Sequence, residues 1–137
     1  MRALGIDFGE KRIGLALSDA DGRWALPWKV IERETDRRAI YRIAELARQE
    51  DVTLLAVGEP LGLDGTAGPA AARVRRFGDR LAAVTGLPVR WVNEALTTVA
   101  ASERLRDAGR GAEQGRGLDA VAAQILLQEA LDRGSET

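Results

Sequence analysis

The 137-residue chain contains neither cysteine nor histidine. Without cysteine there can be no disulfide, thiolate zinc site or thiol nucleophile, and without histidine there is no imidazole general base. Catalysis by this chain must therefore use carboxylates, hydroxyls, Lys, Arg, Tyr or a bound metal. A metal site would consist of oxygen ligands, which suit Mg²⁺ or Mn²⁺ and argue against Zn²⁺.

Long hydrophobic runs are also missing, because no stretch of 18 apolar residues occurs. We therefore expect no contact with a membrane. The N-terminus enters a predicted strand directly, so we expect no signal peptide and a cytoplasmic location. The length, with 45% hydrophobic and 30% charged residues, is typical of one globular domain, predicted to cover residues 1–137.

Lysine is scarce: Lys11 and Lys29 are the only two, and the remaining basic residues are arginines. The net charge of −1 does not indicate a wholly basic nucleic-acid-binding protein. The arginines are clustered, however, and arginine suits bidentate contacts with phosphate. Arg73 and Arg76 share a face of a predicted helix, so we expect them to contact nucleic acid. The alternative for each cluster is a solvated helix face.

The stretch LGIDFG at positions 4–9 has the alternation of a buried strand, with apolar side chains on one face. The other face carries Gly5, Asp7 and Gly9. A carboxylate in an apolar strand is costly unless something compensates it, and glycines let a ligand, metal or backbone come close. Either Asp7 binds a metal or a phosphate-linked ion at the centre of a sheet, or it caps the tight turn at Gly9-Glu10.

Hydrophobic periodicity and turn residues predict the order β-β-β-α-β-α-β-α-α. The predicted strands cover 2–9, 12–18, 28–32 (or from nearer Trp24), 52–57 and 89–92, and the predicted helices cover 36–49, 70–85, 98–108 and 118–133. The same periodicity places Val84 in the core face of the second helix, and Val121 and Ile125 in that of the last. The segment 58–69 is a candidate functional loop, and the glycine-rich segment 109–117 is predicted to be mobile.

Two more carboxylates occupy notable positions. Glu94 ends the last predicted strand, where ligands bind in open α/β sheets, and Asp119 begins the last predicted helix. If the first and fifth strands flank the fourth, Asp7, Glu94 and Asp119 can converge at one end of the sheet. Such like charges repel, and divalent cations would relieve the repulsion and support two-metal hydrolysis of phosphodiesters. Alternatively, Glu94 and Asp119 each favour a helix macrodipole.

Four segments resemble, in the right order, the YqgF/RuvX family of RNase H-like nucleases. They are GIDFGEKRIGLA at 5–16, VGEPLGLDGT at 57–66, NEALTT at 93–98 and LDAVAAQILLQ at 118–128. Proteins of this family are associated with Holliday junction resolution and with maturation of the 5′ end of pre-16S rRNA. Together the four matches span nearly the whole chain, which makes the resemblance specific.

The resemblance implies an RNase H-like α/β fold: a five-stranded mixed sheet, with three antiparallel strands followed by β/α units and with helices on both faces. It also implies a metal-dependent nuclease, with Asp7, Glu94 and Asp119 as catalytic residues that bind Mg²⁺ or Mn²⁺. Residues expected near the nucleic-acid substrate are Lys11, Arg12, Thr97 and Thr98.

The sequence departs from the family pattern at two positions. Asn93 stands where the family usually has Asp, and we interpret this position as a neighbour of the metal ligands rather than as a ligand. Glu59 stands where the family usually has an apolar residue. Because it follows the central strand, Glu59 is a candidate additional ligand, which leaves the number of metal ions open.

Two other functions compete with a nuclease. One is a non-catalytic RNA-binding factor of ribosome assembly. The other is an actin-like or sugar-kinase-like nucleotide-binding module, which normally needs two such domains, and 137 residues have room for one. The sequence leaves open whether the substrate is RNA or DNA, and whether the chain forms a homodimer or associates with ribosomal precursor particles.

Overall fold

A computed structural model of the protein describes residues 1–62, 64–94 and 112–135, of which 112–118 and 135 are described by their backbone alone. Its elements are β1 (Arg2–Phe8), β2 (Arg12–Ser18), β3 (Ala25–Glu32), α1 (Asp36–Gln49), β4 (Val52–Glu59), α2 (Pro69–Thr85), β5 (Val89–Asn93) and α3 (Ala112–Ser135). The helix predicted over 98–108 lies outside the described residues. No described helix is both long and apolar enough to cross a bilayer.

The five strands form one mixed sheet in the order β3-β2-β1-β4-β5. The β1–β2 and β2–β3 pairs are antiparallel, whereas β1–β4 and β4–β5 are parallel. The prediction that the first and fifth strands flank the fourth is therefore confirmed. The three parallel strands end at the same edge of the sheet, and β2 begins there.

Helices cover both faces of the sheet, as predicted. On one face, α1 and α2 pack on Leu4, Ile6 and the other apolar residues of that side. Thr35 caps α1, since its hydroxyl accepts a hydrogen bond from the Arg38 N–H at 3.1 Å. Val84, expected in the core face of α2, is 43% exposed because it lies near the end of the helix, beyond the last buried residue, Leu81.

Among the described elements, α3 covers the opposite face of the sheet. This helix begins at Ala112, so the prediction of a start near residue 118 was wrong, and residues 112–117 of the predicted glycine-rich loop are helical. Its buried stripe is also rotated from the predicted one: Val121 and Ile125 are half-buried. The fully buried positions are Ala122, Ala123, Leu126, Leu127 and Ala130.

The rotation of α3 follows from the sheet face beneath it, which carries small residues. A Cβ on Gly5 would lie 2.7 Å from the Leu127 Cβ and 2.8 Å from the Ala123 carbonyl oxygen. Such a close approach requires the absence of a side chain at Gly5. Ala123 and Leu127, rather than Val121 and Ile125, therefore face the sheet. Gln128 then reaches the edge strand, where its Oε1 accepts a hydrogen bond from the Ala25 N–H at 2.9 Å.

Gly5→Ala should therefore lower the free energy of unfolding by about 1–3 kcal/mol, because the added methyl would push α3 off the sheet. Urea unfolding followed by circular dichroism measures this change. The control is Gly68→Ala, whose Cβ would meet nothing within 4 Å. A Gly5→Ala protein no less stable than Gly68→Ala would contradict the close packing of α3.

Candidate functional site

The candidate site lies at the carboxyl ends of β1, β4 and β5. In open α/β sheets, ligands bind at this edge because loops diverge there and leave a crevice. Asp7 is the second-last residue of β1, and Glu94 directly follows β5. Asp119, on the third turn of α3, lies at the same edge, on the face of the sheet that α3 covers.

Asp7 stands between two glycines in a row that runs across the sheet. It pairs with Gly14 of β2, and the β1–β4 register, which pairs Ile6 with Val57, continues to place Gly58 on its other side. A Cβ on Gly14 would collide with the backbone oxygen of Asp119, and one on Gly58 would collide with the Glu94 carboxylate. The two glycines thus make room for Glu94 and Asp119 on either side of Asp7.

All three carboxylates of this row are buried. Asp7 is 1% exposed, Glu94 is 6% exposed and Asp119 is 2% exposed. Acidic side chains are seldom buried unless a cation or hydrogen bonds compensate the charge. Their concentration at one edge of the sheet therefore indicates a site rather than a packing core.

An arginine contacts one of these carboxylates. The Nε of Arg12 lies 2.8 Å from Oδ2 of Asp119, and the Arg12 side chain is 25% exposed. Within the described residues, no group of three or more acidic side chains is placed as it would be around one cation. The arrangement is therefore one in which Arg12 provides a positive charge for Asp119.

A cleft of about 540 Å³ opens between the β1–β2 turn and α2. Glu94 and Asp119 line it, whereas Asp7 is not among its lining residues. Its cationic residues are Lys11, Arg12, Arg33 and Arg73. A cleft with buried carboxylates beside several cations suits a phosphate-containing ligand, because the cations can neutralise phosphates near the acidic centre.

The structure places the remaining predicted residues as follows. Arg73 lines the cleft, whereas Arg76, exposed on the same helix, is not among its lining residues. Thr97 and Thr98 lie outside the described residues. The role of each of these residues stays a prediction.

Asp119 does not begin its helix, contrary to the sequence prediction. It lies seven residues after the first residue of α3, well beyond the first turn, where a macrodipole or capping role would apply. The alternative interpretation of Asp119 as a charge at a helix N-terminus is therefore removed. Arg12 and the sheet, rather than free N–H groups at a helix start, form its surroundings.

Glu59 and Asn93 point away from the row of carboxylates. Strand alternation puts both on the face covered by α1 and α2, whereas Gly58 and Glu94 belong to the α3 face. Oε2 of Glu59 accepts hydrogen bonds from Nη2 of Arg75 at 2.7 Å and from its Nε at 3.2 Å. Glu59 is thus the partner of Arg75, which also stacks on Trp91, and is not an additional ligand beside Asp7.

Sequence reasoning missed one cationic residue of the cleft, Arg33. Arg33 follows β3 directly and lies outside the sequence segments that suggested function. The signal that could have found it is topological: β3 pairs with β2, so its end lies beside the β1–β2 turn that carries Lys11 and Arg12.

Comparisons with known proteins give the family and the fold of the chain. The family model described as "RuvX: Holliday junction resolvase" matches residues 1–133. Proteins named "Putative pre-16S rRNA nuclease" from Anaeromyxobacter sp. (strain K) and Chloroflexus aggregans are each 45% identical to this chain. The first alignment covers 97% of this chain and 98% of the relative, and the second covers 94% and 92%.

A solved structure, of Thermus thermophilus RuvC in complex with a Holliday junction substrate, matches this chain with a TM-score of 0.61 at 18% identity. The match covers 98% of this chain and 96% of RuvC. The fold is thus the RNase H-like fold predicted from the sequence. Fold and family together define a nuclease, a hydrolase of phosphodiester bonds. The chain belongs to the RuvX family, as its four sequence segments indicated.

The contact between Arg12 and Asp119 generates a test of the site's electrostatics. Arg12→Gln should lower the free energy of unfolding by about 1–3 kcal/mol, since it removes the positive charge beside a buried carboxylate. Arg38→Gln is the control, because it breaks an exposed ion pair with Glu34 and should cost about 0.5 kcal/mol or less. Equal losses in urea unfolding would show that Arg12 contributes no more than a surface ion pair.

Proposed function

We propose that this chain is a divalent-metal-dependent nuclease in which Asp7, Glu94 and Asp119 hold Mg²⁺ or Mn²⁺. The observation that carries the proposal is the row of Gly14, Asp7 and Gly58, over which Glu94 and the backbone of Asp119 fit beside the buried Asp7 carboxylate. This donor set consists of oxygen atoms only, as hard divalent cations prefer.

The residues fit such a metal provided that Asp119 exchanges its partner. In the structure Arg12 compensates the Asp119 charge, and a cation held by the three carboxylates would take over that task. Arg12 would then be available to a phosphate of the substrate. When bound, the metal supplies an activated water for attack on phosphorus and stabilises the leaving oxygen, which the chain cannot do through imidazole.

The cations of the cleft hold the substrate in this proposal. Lys11, Arg12 and Arg73 line the same cleft as Glu94 and Asp119, so phosphates beside the scissile bond can be neutralised from both sides. Arg76, Thr97 and Thr98 are proposed as further substrate contacts. Buried carboxylates on a rigid sheet keep the reacting groups oriented, since β1 and β4 are held on both faces by packed helices.

The names of relatives suggest which nucleic acid is cleaved. We propose processing of the 5′ end of pre-16S rRNA in the cytoplasm, on ribosomal precursor particles, by a single nuclease domain covering residues 1–137. The support is the name shared by relatives that match nearly the whole chain. The family description supports a second substrate, branched DNA such as a Holliday junction. Cleavage of a junction would favour a homodimer, because two symmetric cleavage points suit a two-fold assembly.

A non-catalytic RNA-binding factor is the alternative, and the contact of Arg12 with Asp119 favours it. If that ion pair persists with metal present, the site lacks a full ligand set and the cleft only binds nucleic acid. The two functions differ in a cleavage assay, since both bind RNA and only one hydrolyses it.

Labelled single strands, duplexes, four-way junctions and a pre-16S rRNA fragment should be incubated with Mg²⁺, Mn²⁺ or EDTA. We expect cleavage with metal and none with EDTA. Asp7→Asn should fold normally and lose on the order of 10²-fold or more in rate, as for removal of a major electrostatic contribution. Asp21→Asn, on an exposed turn, is the matched control and should cleave as the wild type does.

Cleavage that survives exhaustive chelation would rule out the metal mechanism. Near-wild-type turnover by Asp7→Asn would reduce Asp7 to a structural residue of β1. Binding without cleavage of any substrate, under all metal conditions, would favour the non-catalytic alternative.

A further inference from the structure

Arg33 joins four parts of the chain at the rim of the cleft. Its backbone N–H donates to the Lys11 carbonyl at 2.9 Å, which extends the β2–β3 ladder by one bond. Its Nη1 donates to the Glu10 carbonyl at 3.0 Å, and its Nε lies 3.0 Å from Oδ1 of Asp36, the first residue of α1. The guanidinium also stacks on Phe8, with Cζ 4.3 Å from the ring centroid.

These contacts fix the guanidinium rather than merely neutralise it. An arginine side chain free in solvent loses rotamer entropy when it binds a ligand. Arg33 has already lost much of this entropy in the folded protein, because its guanidinium stacks on Phe8 and two of its nitrogens are hydrogen-bonded. The Arg33 side chain is 23% exposed, so it is largely buried yet still reachable.

One nitrogen of the guanidinium makes no hydrogen bond to the described residues. The hydrogen bonds of Arg33 to the described residues use Nε and Nη1, whereas Nη2 makes none. Arg33 lines the cleft together with Lys11, Arg12 and Arg73. A buried, oriented donor with two remaining N–H groups at the wall of a cationic cleft is suited to a phosphate oxygen.

We propose that Arg33 is a preoriented binding residue for a backbone phosphate of the substrate, in addition to stabilising the β1–β2 turn. The inference rests on the proposed nuclease function and adds a residue that no sequence segment indicated. The phosphate it contacts lies on the β1–β2 side of the cleft, opposite the one that Arg73 reaches from α2. The substrate backbone therefore passes between the β1–β2 turn and α2.

Two substitutions separate the charge of Arg33 from its structural contacts. Arg33→Gln removes the charge but keeps a side-chain amide that can donate to the Glu10 carbonyl. Arg33→Lys keeps the charge. Arg37→Gln is the control, because Arg37 is an exposed arginine four residues away that does not line the cleft. Binding of a fluorescein-labelled single-stranded RNA is measured by anisotropy in EDTA, over a range of salt concentrations.

Arg33→Gln should weaken binding at low salt by about tenfold or more and flatten the plot of log affinity against log salt by about 0.7, the value for one phosphate contact on a single strand. Arg33→Lys and Arg37→Gln should keep the wild-type slope. An unchanged slope in Arg33→Gln, or an equal flattening in Arg37→Gln, would overturn the inference while leaving the nuclease proposal intact. A wild-type protein that binds neither this RNA nor a four-way DNA junction would overturn both.

A second measurement does not depend on the folding of Arg33→Gln. In the wild-type protein the guanidinium NMR signal of Arg33, assigned with Arg33→Lys, should shift when the RNA is added, and that of Arg37 should not. An Arg33 signal that stays in place while RNA binds would make Arg33 a structural residue only.

Discussion

The site depends on one constraint: a buried carboxylate is flanked in its sheet by two residues without side chains. Asp7 could not have Glu94 and Asp119 for neighbours if Gly14 or Gly58 carried even a methyl group, because those groups occupy the space that a Cβ would take. The same applies two residues earlier in β1, where the missing side chain of Gly5 lets Ala123 and Leu127 of α3 lie on the sheet. Close packing of α3 is thus what brings Asp119 to the edge where β1 and β5 end.

The charges of the site follow from that packing. Three carboxylates with exposures of 6% or less need compensation of their charge, and Arg12 supplies part of it through Asp119. Arg33 in turn holds the turn that carries Lys11 and Arg12, through the Glu10 carbonyl and the Phe8 ring. The cationic rim and the acidic centre are therefore one connected structure, in which a metal ion would replace Arg12 at Asp119 and leave Arg12 for a substrate phosphate.

Much of the sheet was predictable because strand patterns are local. Alternation around Asp7 and the continuous apolar run of β4 each determine a strand through its own residues. The start of α3 was not predictable in this way, because the glycines at 111, 115 and 117 suggest a loop and the helix includes the latter two. The partner of Glu59 was not predictable either, since Arg75 lies on the next helix and only the three-dimensional packing brings the two side chains together. Arg33 was missed for the same reason.

The row of Gly14, Asp7 and Gly58 is proposed to leave room for a divalent cation at the Asp7 carboxylate. The most direct test is a crystal of the protein soaked in Mn²⁺, with anomalous diffraction recorded at the manganese absorption edge. The account predicts an anomalous peak in contact with the Asp7 carboxylate, with Glu94 and Asp119 as further ligands and with the Arg12 guanidinium displaced from Asp119. A fully ordered site with the Arg12–Asp119 pair intact and no peak at Asp7 would contradict it.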